Sequence, residues 1–394
     1  MKSFFGRLNK TLKHDFEKAI QSESNEEIFN LLREYMKFIE DENESYKYLF
    51  VIGQNPLDEL KDTQKSMEKF NTKCLSFLIK TVNNSDSLHP YDSTLSEAQT
   101  FMGLGYEFGL FGLSKDDIKA VGYYSSAARQ NHPIGTFRMG QCLEKGIGKP
   151  KNWKHALDFY RCSAKLGYIA GMHTYGSVLI HGDMGSKKDI QSGLFYLKLA
   201  VRKATHEYPY PYYDLAQIYE SNMTSGEIQT DEEYAFRMYL KGAELSCPNC
   251  QYRVAKCYET GELMQERNLA LAYNWYKKAS ELGQIDAQMS YSRILFTGID
   301  GIVQSDLNES LFWALKAAIK GHPQAAYSVA EFAEAENNGT GNTLLAIWWY
   351  TVSYEFGNTQ AKSKINMLQH QIDIQNRGSK EPKCCGCFCW SSTK

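Results

Sequence analysis

A chain of 394 residues can bury well over half of its unfolded surface and sustain a core of its own. Hydrophobic residues at 43% and charged residues at 23% exclude a mostly disordered or collagen-like chain. The 44 basic and 46 acidic side chains leave a formal charge of −2, so no overall field points to nucleic acid or to an acidic substrate. Nine prolines beside 26 Tyr, 20 Phe and 6 Trp favour an all-α chain with many large side chains to pack.

The N-terminus, MKSFFGRLNKTLKHDF, is basic but has neither the apolar run nor the small-residue cleavage site of a secretory signal. Phe4, Phe5, Leu8, Leu12, Phe16 and Ile20 fall near one helical face with Lys2, Arg7, Lys10 and Lys13 around it. That pattern suits a capping helix or a membrane surface, and Asp15 and Glu17, which interrupt the basic run, favour the capping helix. EEIFNLLREYMKFIEDENESYKYLF and LKDTQKSMEKFNTKCLSFLIKTV have apolar residues three and four apart and predict two further helices. NNSDSLHPYDSTLSEA has a loop composition, so residues 1–95 read as a helical N-terminal cap region.

From there the chain repeats itself. A small residue, apolar or aromatic residues, and a second small residue five positions on recur as AQTFMG, GTFRMG, GMHTYG, PYYDLA, CQYRVA, AQMSYS and AAYSVA, with AKSKIN opening an incomplete eighth copy. The second small positions are 103, 140, 176, 216, 255, 292, 330 and 366, a period of 36 to 40 residues. About twenty residues further along each copy stands a pair, Tyr123-Tyr124, Phe159-Tyr160, Phe195-Tyr196, Met238-Tyr239, Trp275-Tyr276, Trp313-Ala314 or Trp349-Tyr350. In most copies a small residue follows four positions after the first member, the i, i+4 spacing that lets a neighbouring helix approach closely. Gly109, Gly146, Gly182, Gly261 and Gly298 fall where the first helix must stop and the backbone can turn left-handed. Copies three, four and seven depart from this pattern, with ATHEYPYP at one joint and Asn222 and Glu336 at two turns. Pro133 and Pro323 sit where the next copy's helix begins.

Each unit reads as helix, turn, helix, turn. Such a unit cannot bury its apolar face alone, so neighbours stack into an α-solenoid with a continuous core and a concave surface over residues 96–370.

Residues 371–394, QIDIQNRGSKEPKCCGCFCWSSTK, lose the pattern and read as a flexible Cys-rich tail. Cys384, Cys385, Cys387 and Cys389 crowd beside Phe388 and Trp390, with Arg377, Lys380 and Lys383 nearby. Reversible S-palmitoylation suits this composition, a zinc knuckle and unmodified thiols are the alternatives, and the ending SSTK provides no prenylation box.

No nucleotide-loop, nucleophile-elbow, metalloprotease or kinase motif occurs, so the expectation is a non-enzyme with no catalytic, cofactor or metal residues. The Gly-rich GLGYEFG at 103–109 lies inside the repeat signature, and His132 and His322 share one place in the joint and read as structural. Cys247 and Cys250, with Cys257 following, have half of a zinc spacing, but Cys250 fills a small packing position. No run reaches the ~18 apolar residues of a spanning helix, so the expected location is cytoplasmic, at the cytoplasmic face of a membrane if the tail is lipidated. The sequons at Asn43, Asn83, Asn222, Asn308 and Asn338 would matter only in the secretory pathway.

These copies resemble the Sel1-like repeat family, relatives of the tetratricopeptide repeat. The resemblance implies a right-handed α-solenoid of seven repeats plus a partial eighth, and a scaffold or adaptor that holds a protein partner on its concave face. Together with the tail it is similar to the fungal activators of chitin synthase, which bring a membrane enzyme to its site. A subunit of endoplasmic-reticulum-associated degradation and a repeat-fold hydrolase are the other functions the family offers.

Overall fold

The computed structural model describes residues 15, 18–19, 26–32, 71–83, 93–221, 228–335 and 340–378. The expected amphipathic face of the first twenty residues, the turns at Asn222 and Glu336, and the cysteine-rich end of the tail lie outside the described residues. From Ser93 onward the chain is a succession of α-helices: α1 Ser93–Phe108, α2 Asp117–Arg129, α3 Pro133–Lys145, α4 Trp153–Lys165, α5 Ile169–His181 and α6 Ile190–Lys203. After them come α7 Pro211–Glu220, α8 Glu232–Glu244, α9 Pro248–Thr260, α10 Leu269–Glu281 and α11 Ile285–Thr297. The last four are α12 Leu307–Ile319, α13 Pro323–Ala335, α14 Thr340–Glu355 and α15 Ala361–Gly378. The only β-type pairing among the described residues is two isolated bridges, Thr205 with Tyr208 and Ile299 with Val303. The helices pair in sequence, so α1 and α2 form the first repeat and α13 and α14 the seventh.

The start and stop signals explain this regularity. Six second helices begin at an Asp or Asn whose side chain accepts the amide three residues on, leaving one fewer orphan donor at each helix start: Asp116, Asn152, Asp189, Asp231, Asn268 and Asp306. First helices are capped at the joint, where His132, Gln284 and His322 accept from the amides of Gly135, Ala287 and Ala325. They end on Gly146, Gly182 and Gly261, each left-handed as the sequence requires.

The chain forms two compact units, Met1–Lys203 and Ala204–Lys394. Within each unit every helix packs on its predecessor and successor, and successive first helices also touch, as α1 does α3, α3 does α5 and α7 does α9. Inside a repeat, a large side chain of the second helix lies over a small residue of the first. A Cβ on Gly103 would sit 2.4 Å from the ring of buried Tyr124, and one on Gly140 would sit 2.8 Å from Tyr160. Between repeats the small residue three positions further along the second helix meets the first small position of the next repeat. A Cβ on Gly135 would lie 2.6 Å from that of Ala127, and one on Gly171 would lie 2.5 Å from the Ser163 hydroxyl. The seam can close only if one partner gives up its methyl or both are tiny.

Three details differ from the sequence reading. In the third repeat the large pair is Tyr196-Leu197, because Leu197 and Ala200 are buried at the positions held elsewhere by Tyr124 and Ala127, while Phe195 is 62% exposed. Taking an aromatic as the second member, where Leu197 stands, displaces that pair by one residue. Helix α1 starts at Ser93, within the serine-rich stretch read as loop, where the Ser96 and Thr100 hydroxyls donate back to carbonyls one turn earlier. Helix α15 runs to Gly378, past the expected boundary at 370, because no Gly or Pro interrupts QHQIDIQNR. Ahead of the repeats, Phe29 is buried in a helical segment and stacks on Phe101 of α1 at 5.6 Å, joining 26–32 to the first repeat.

Candidate partner-binding surface

The buried tyrosines are not only packing groups. Each phenol donates a hydrogen bond to a glutamate one turn past the small position of the first helix: Tyr124 to Glu107 at 2.6 Å, Tyr160 to Glu144 at 2.5 Å, Tyr239 to Glu220 at 2.5 Å, Tyr276 to Glu259 at 2.6 Å and Tyr350 to Glu334 at 2.7 Å. The two remaining repeats change both members. The third has Leu197 with Ile180, and the sixth has Ala314 with Phe296. A buried phenol without an acceptor costs more than an apolar substitute, which is why the tyrosine and the glutamate appear and disappear together.

In the second unit these glutamates also reach a basic residue on the following first helix. Arg253 donates through Nε to Glu220 at 3.0 Å and pairs with Glu262 at 2.6 Å; Arg293 pairs with Glu259; Lys364 of α15 pairs with Glu334 at 3.0 Å. Phe296, at the sixth repeat's glutamate position, is 53% exposed and meets Phe332 edge-on at 5.6 Å. In the second unit the first helices therefore present a charged row with one apolar interruption at Phe296, a surface suited to a polypeptide partner. These glutamates lie one turn past the second small position in five of the repeats, a regularity that small and aromatic residues alone do not reveal.

Burial raises the tyrosines well above their ordinary pKa, and the neighbouring carboxylates push in the same direction. For Glu259 burial opposes ionisation, but the hydrogen bonds from Tyr276 and Arg293 outweigh it and hold the carboxyl below its usual 4.5. Glu334 is lowered likewise by Tyr350 and Lys364 against the opposing effect of burial. A glutamate depressed in the folded state contributes stability above its unfolded pKa and loses it as pH falls through the folded value. Unfolding midpoints are therefore expected to fall as pH drops below about 4.5, and Glu259→Gln should flatten that slope in the second unit. A denaturant series across pH 3 to 6 followed by circular dichroism checks it; an unchanged slope would remove Glu259 from the account.

The residues singled out in the sequence are distributed as follows. Cys384, Cys385, Cys387 and Cys389 lie outside the described residues. His132 and His322 are helix caps; the Thr100 hydroxyl also lies 2.9 Å from His132 Nδ1, and Asp286 lies 3.5 Å from His322 Nε2. GLGYEFG runs through the end of α1 and turns at Gly109. Cys250 is buried against Gly242, whose Cβ would fall 2.5 Å from Sγ, so the larger thiol is matched by the loss of a methyl across the seam. Burial pushes the Cys257 thiol up to about 12, as expected of an inert core cysteine. Among the described residues no group of three or more His, Cys, Asp or Glu is placed to hold a metal ion, and no helix is long and apolar enough to cross a membrane.

The Sel1 repeat profile matches residues 96–132, 133–168, 170–204, 212–247, 248–284 and 285–322, more than half of the chain and in register with the first six helix pairs. The chain belongs to the Sel1 repeat family. The chain is similar to chitin synthase regulatory factor 3 of Schizosaccharomyces pombe, 27% identical over 80% of this chain and 33% of that protein. It is also similar to the chitin synthase regulator SKT5 of Saccharomyces cerevisiae, 27% identical over 73% of this chain and 41% of that one. The chain thus spans less than half the length of these two regulators. Among solved structures, c5321 of uropathogenic Escherichia coli, described as a protective antigen with an SLR fold, superposes with a TM-score of 0.53 at 20% identity, covering 81% of this chain and 68% of that one. This last likeness concerns the fold alone.

Proposed function

We propose that the chain is a non-enzymatic adaptor that activates a membrane-bound chitin synthase. The observation that carries this reading is the similarity to two fungal chitin synthase regulators over most of this chain. The partner lies along the first helices, which form the concave side. Support for that side comes from the contacts between successive first helices in each unit and from the charged row of Glu220, Arg253, Glu259, Arg293 and Glu334. The domain plan that goes with it is a cap ahead of α1, a repeat array closed by α15 and a tail beyond Gly378 that is palmitoylated at Cys384, Cys385, Cys387 and Cys389 and so holds the adaptor beside its enzyme.

The test uses cells lacking their own regulator. Full-length protein should restore chitin synthesis in isolated membranes and co-purify with the synthase. A chain ending at Gly378 should associate with membranes more weakly and lose most of that restoration, and Arg253→Gln with Arg293→Gln should lose co-purification, with thermal unfolding of the variant separating lost contact from lost packing. Restoration unaffected by all these changes would end this reading.

A further inference from the structure

The outward side of the second helices in the second unit carries a pattern that the adaptor reading does not use. Two residues after the inward tyrosine position, and so on the far side of the helix from it, stand Lys241, Lys278 and Lys316 in three successive repeats. On the same side, two residues before that position, stand Arg237, Phe312 and Trp348, while Trp275, one residue before it, is half-buried against the core at the edge of this side. The two sets touch: the Lys278 ammonium lies 4.3 Å over Trp275, and that of Lys316 lies 4.5 Å over Phe312. In α14, where no lysine follows, Leu344, Leu345 and Trp348 are 59%, 49% and 55% exposed, and Ile319 and Phe312 of α12 are also exposed. Acidic side chains of these helices sit toward their ends, as Glu232, Glu244, Glu281 and Glu355 do, leaving the middle of the face basic and aromatic. In the first two repeats the positions two before the inward tyrosine are Gly122 and Asp158 and those two after it are Ser126 and Cys162, and the third repeat has Phe195 but Leu199 in place of the lysine, so the lysine row belongs to the second unit.

We propose that this basic and aromatic face of α8, α10, α12 and α14 lies on an anionic lipid surface. Charge complementarity selects the occupant. Tryptophan, phenylalanine and leucine side chains enter the boundary between headgroups and acyl chains, while lysines spaced among them meet phosphatidylserine or phosphoinositide headgroups. Phe312 and Trp313 around Lys316 desolvate its amine and, with Lys320 repelling it, lower its pKa, a strain that an anionic headgroup relieves. The surface is independent of the acylated tail and would turn a single-point tether into a fixed orientation on the membrane.

The experiment uses the full chain made in bacteria, where the cysteines stay unacylated, and sedimentation with phosphatidylcholine vesicles with and without phosphatidylserine. Binding is expected only with the anionic lipid, and high salt should weaken it. Lys278→Glu with Lys316→Glu should lower affinity by at least about fivefold for each lysine. Leu344→Glu with Trp348→Glu should lower it similarly, whereas Phe195→Glu, at the equivalent position of the third repeat, should leave it unchanged. Thermal unfolding of each variant separates lost binding from lost fold. Equal binding by the wild type and both double variants, or no preference for phosphatidylserine, overturns the proposal, as does a wild type that binds no vesicle while the lysine variant alone loses co-purification with the synthase. Failure of the tail reading is a separate result: replacing the four cysteines with serine would leave membrane association in cells unaltered, while the vesicle result would stand.

Discussion

Tyr276→Ala is expected to lower the stability of the second unit by about 3–5 kcal/mol, the cost of emptying a core site that held a large ring. The ring is almost wholly buried, lies over Ala255 and packs beside Tyr252 at 5.9 Å, so there is little freedom to collapse around the void. Tyr276→Phe keeps the ring and removes only the donor to Glu259, which remains paired with Arg293; its expected cost is about 1–2 kcal/mol. Because repeats contact only their neighbours, the damage should be local. Hydrogen exchange should show amides of α9 and α10 losing protection while those of α1 to α4 keep theirs, and urea titrations of the two variants give the magnitudes. If the phenylalanine variant were as unstable as the alanine one, the hydrogen bond and not the ring would be the main support of the repeat.

Gly135→Ala is expected to cost about 1–3 kcal/mol, since the added methyl would lie 2.6 Å from the Cβ of Ala127 and 3.1 Å from the Thr100 hydroxyl, in a seam that cannot spread without moving two helices. Ala127→Gly alone should cost about 1 kcal/mol through helix propensity. The two together should be more stable than the sum of the single changes allows, because the methyl has only crossed the seam. A double-mutant cycle read by denaturant unfolding measures that coupling, expected at about 1 kcal/mol or more. Simple additivity would mean that the first unit's seam is looser than its geometry.

The architecture was legible because its signals are periodic and steric. Small residues at 103, 140 and 176 mark where Tyr124, Tyr160 and Leu197 come to rest, and glycines at 146, 182 and 261 mark left-handed turns that a Cβ would strain. The capping Asp and Asn residues before six of the second helices repeat just as faithfully and fix those helix starts more closely than the aromatic pairs do. The third repeat's pair was misplaced by one residue because Phe195 and Tyr196 look alike in a string of letters, and only packing distinguishes the half-bare ring from the shielded one. The surface was less legible. Glu220, Glu259 and Glu334 read as ordinary charged residues until their second partners, more than thirty positions further on, are brought alongside. The outward lysines carry no sequence signal apart from their register, which has meaning only when the inward tyrosine position is known.

The glutamate shared between its own tyrosine and the next repeat's cation gives the array a direction. Glu220, Glu259 and Glu334 each look forward along the chain, to Arg253, Arg293 and Lys364. During synthesis on the ribosome, each of these hairpins can close its phenol bond as it emerges but must wait for its successor to neutralise the carboxylate. Helix α15 ends that wait, so a chain cut at Glu355 would finish with an unclaimed charge at its growing edge, while precise removal of the fifth repeat would hand the Glu220 carboxylate to Arg293.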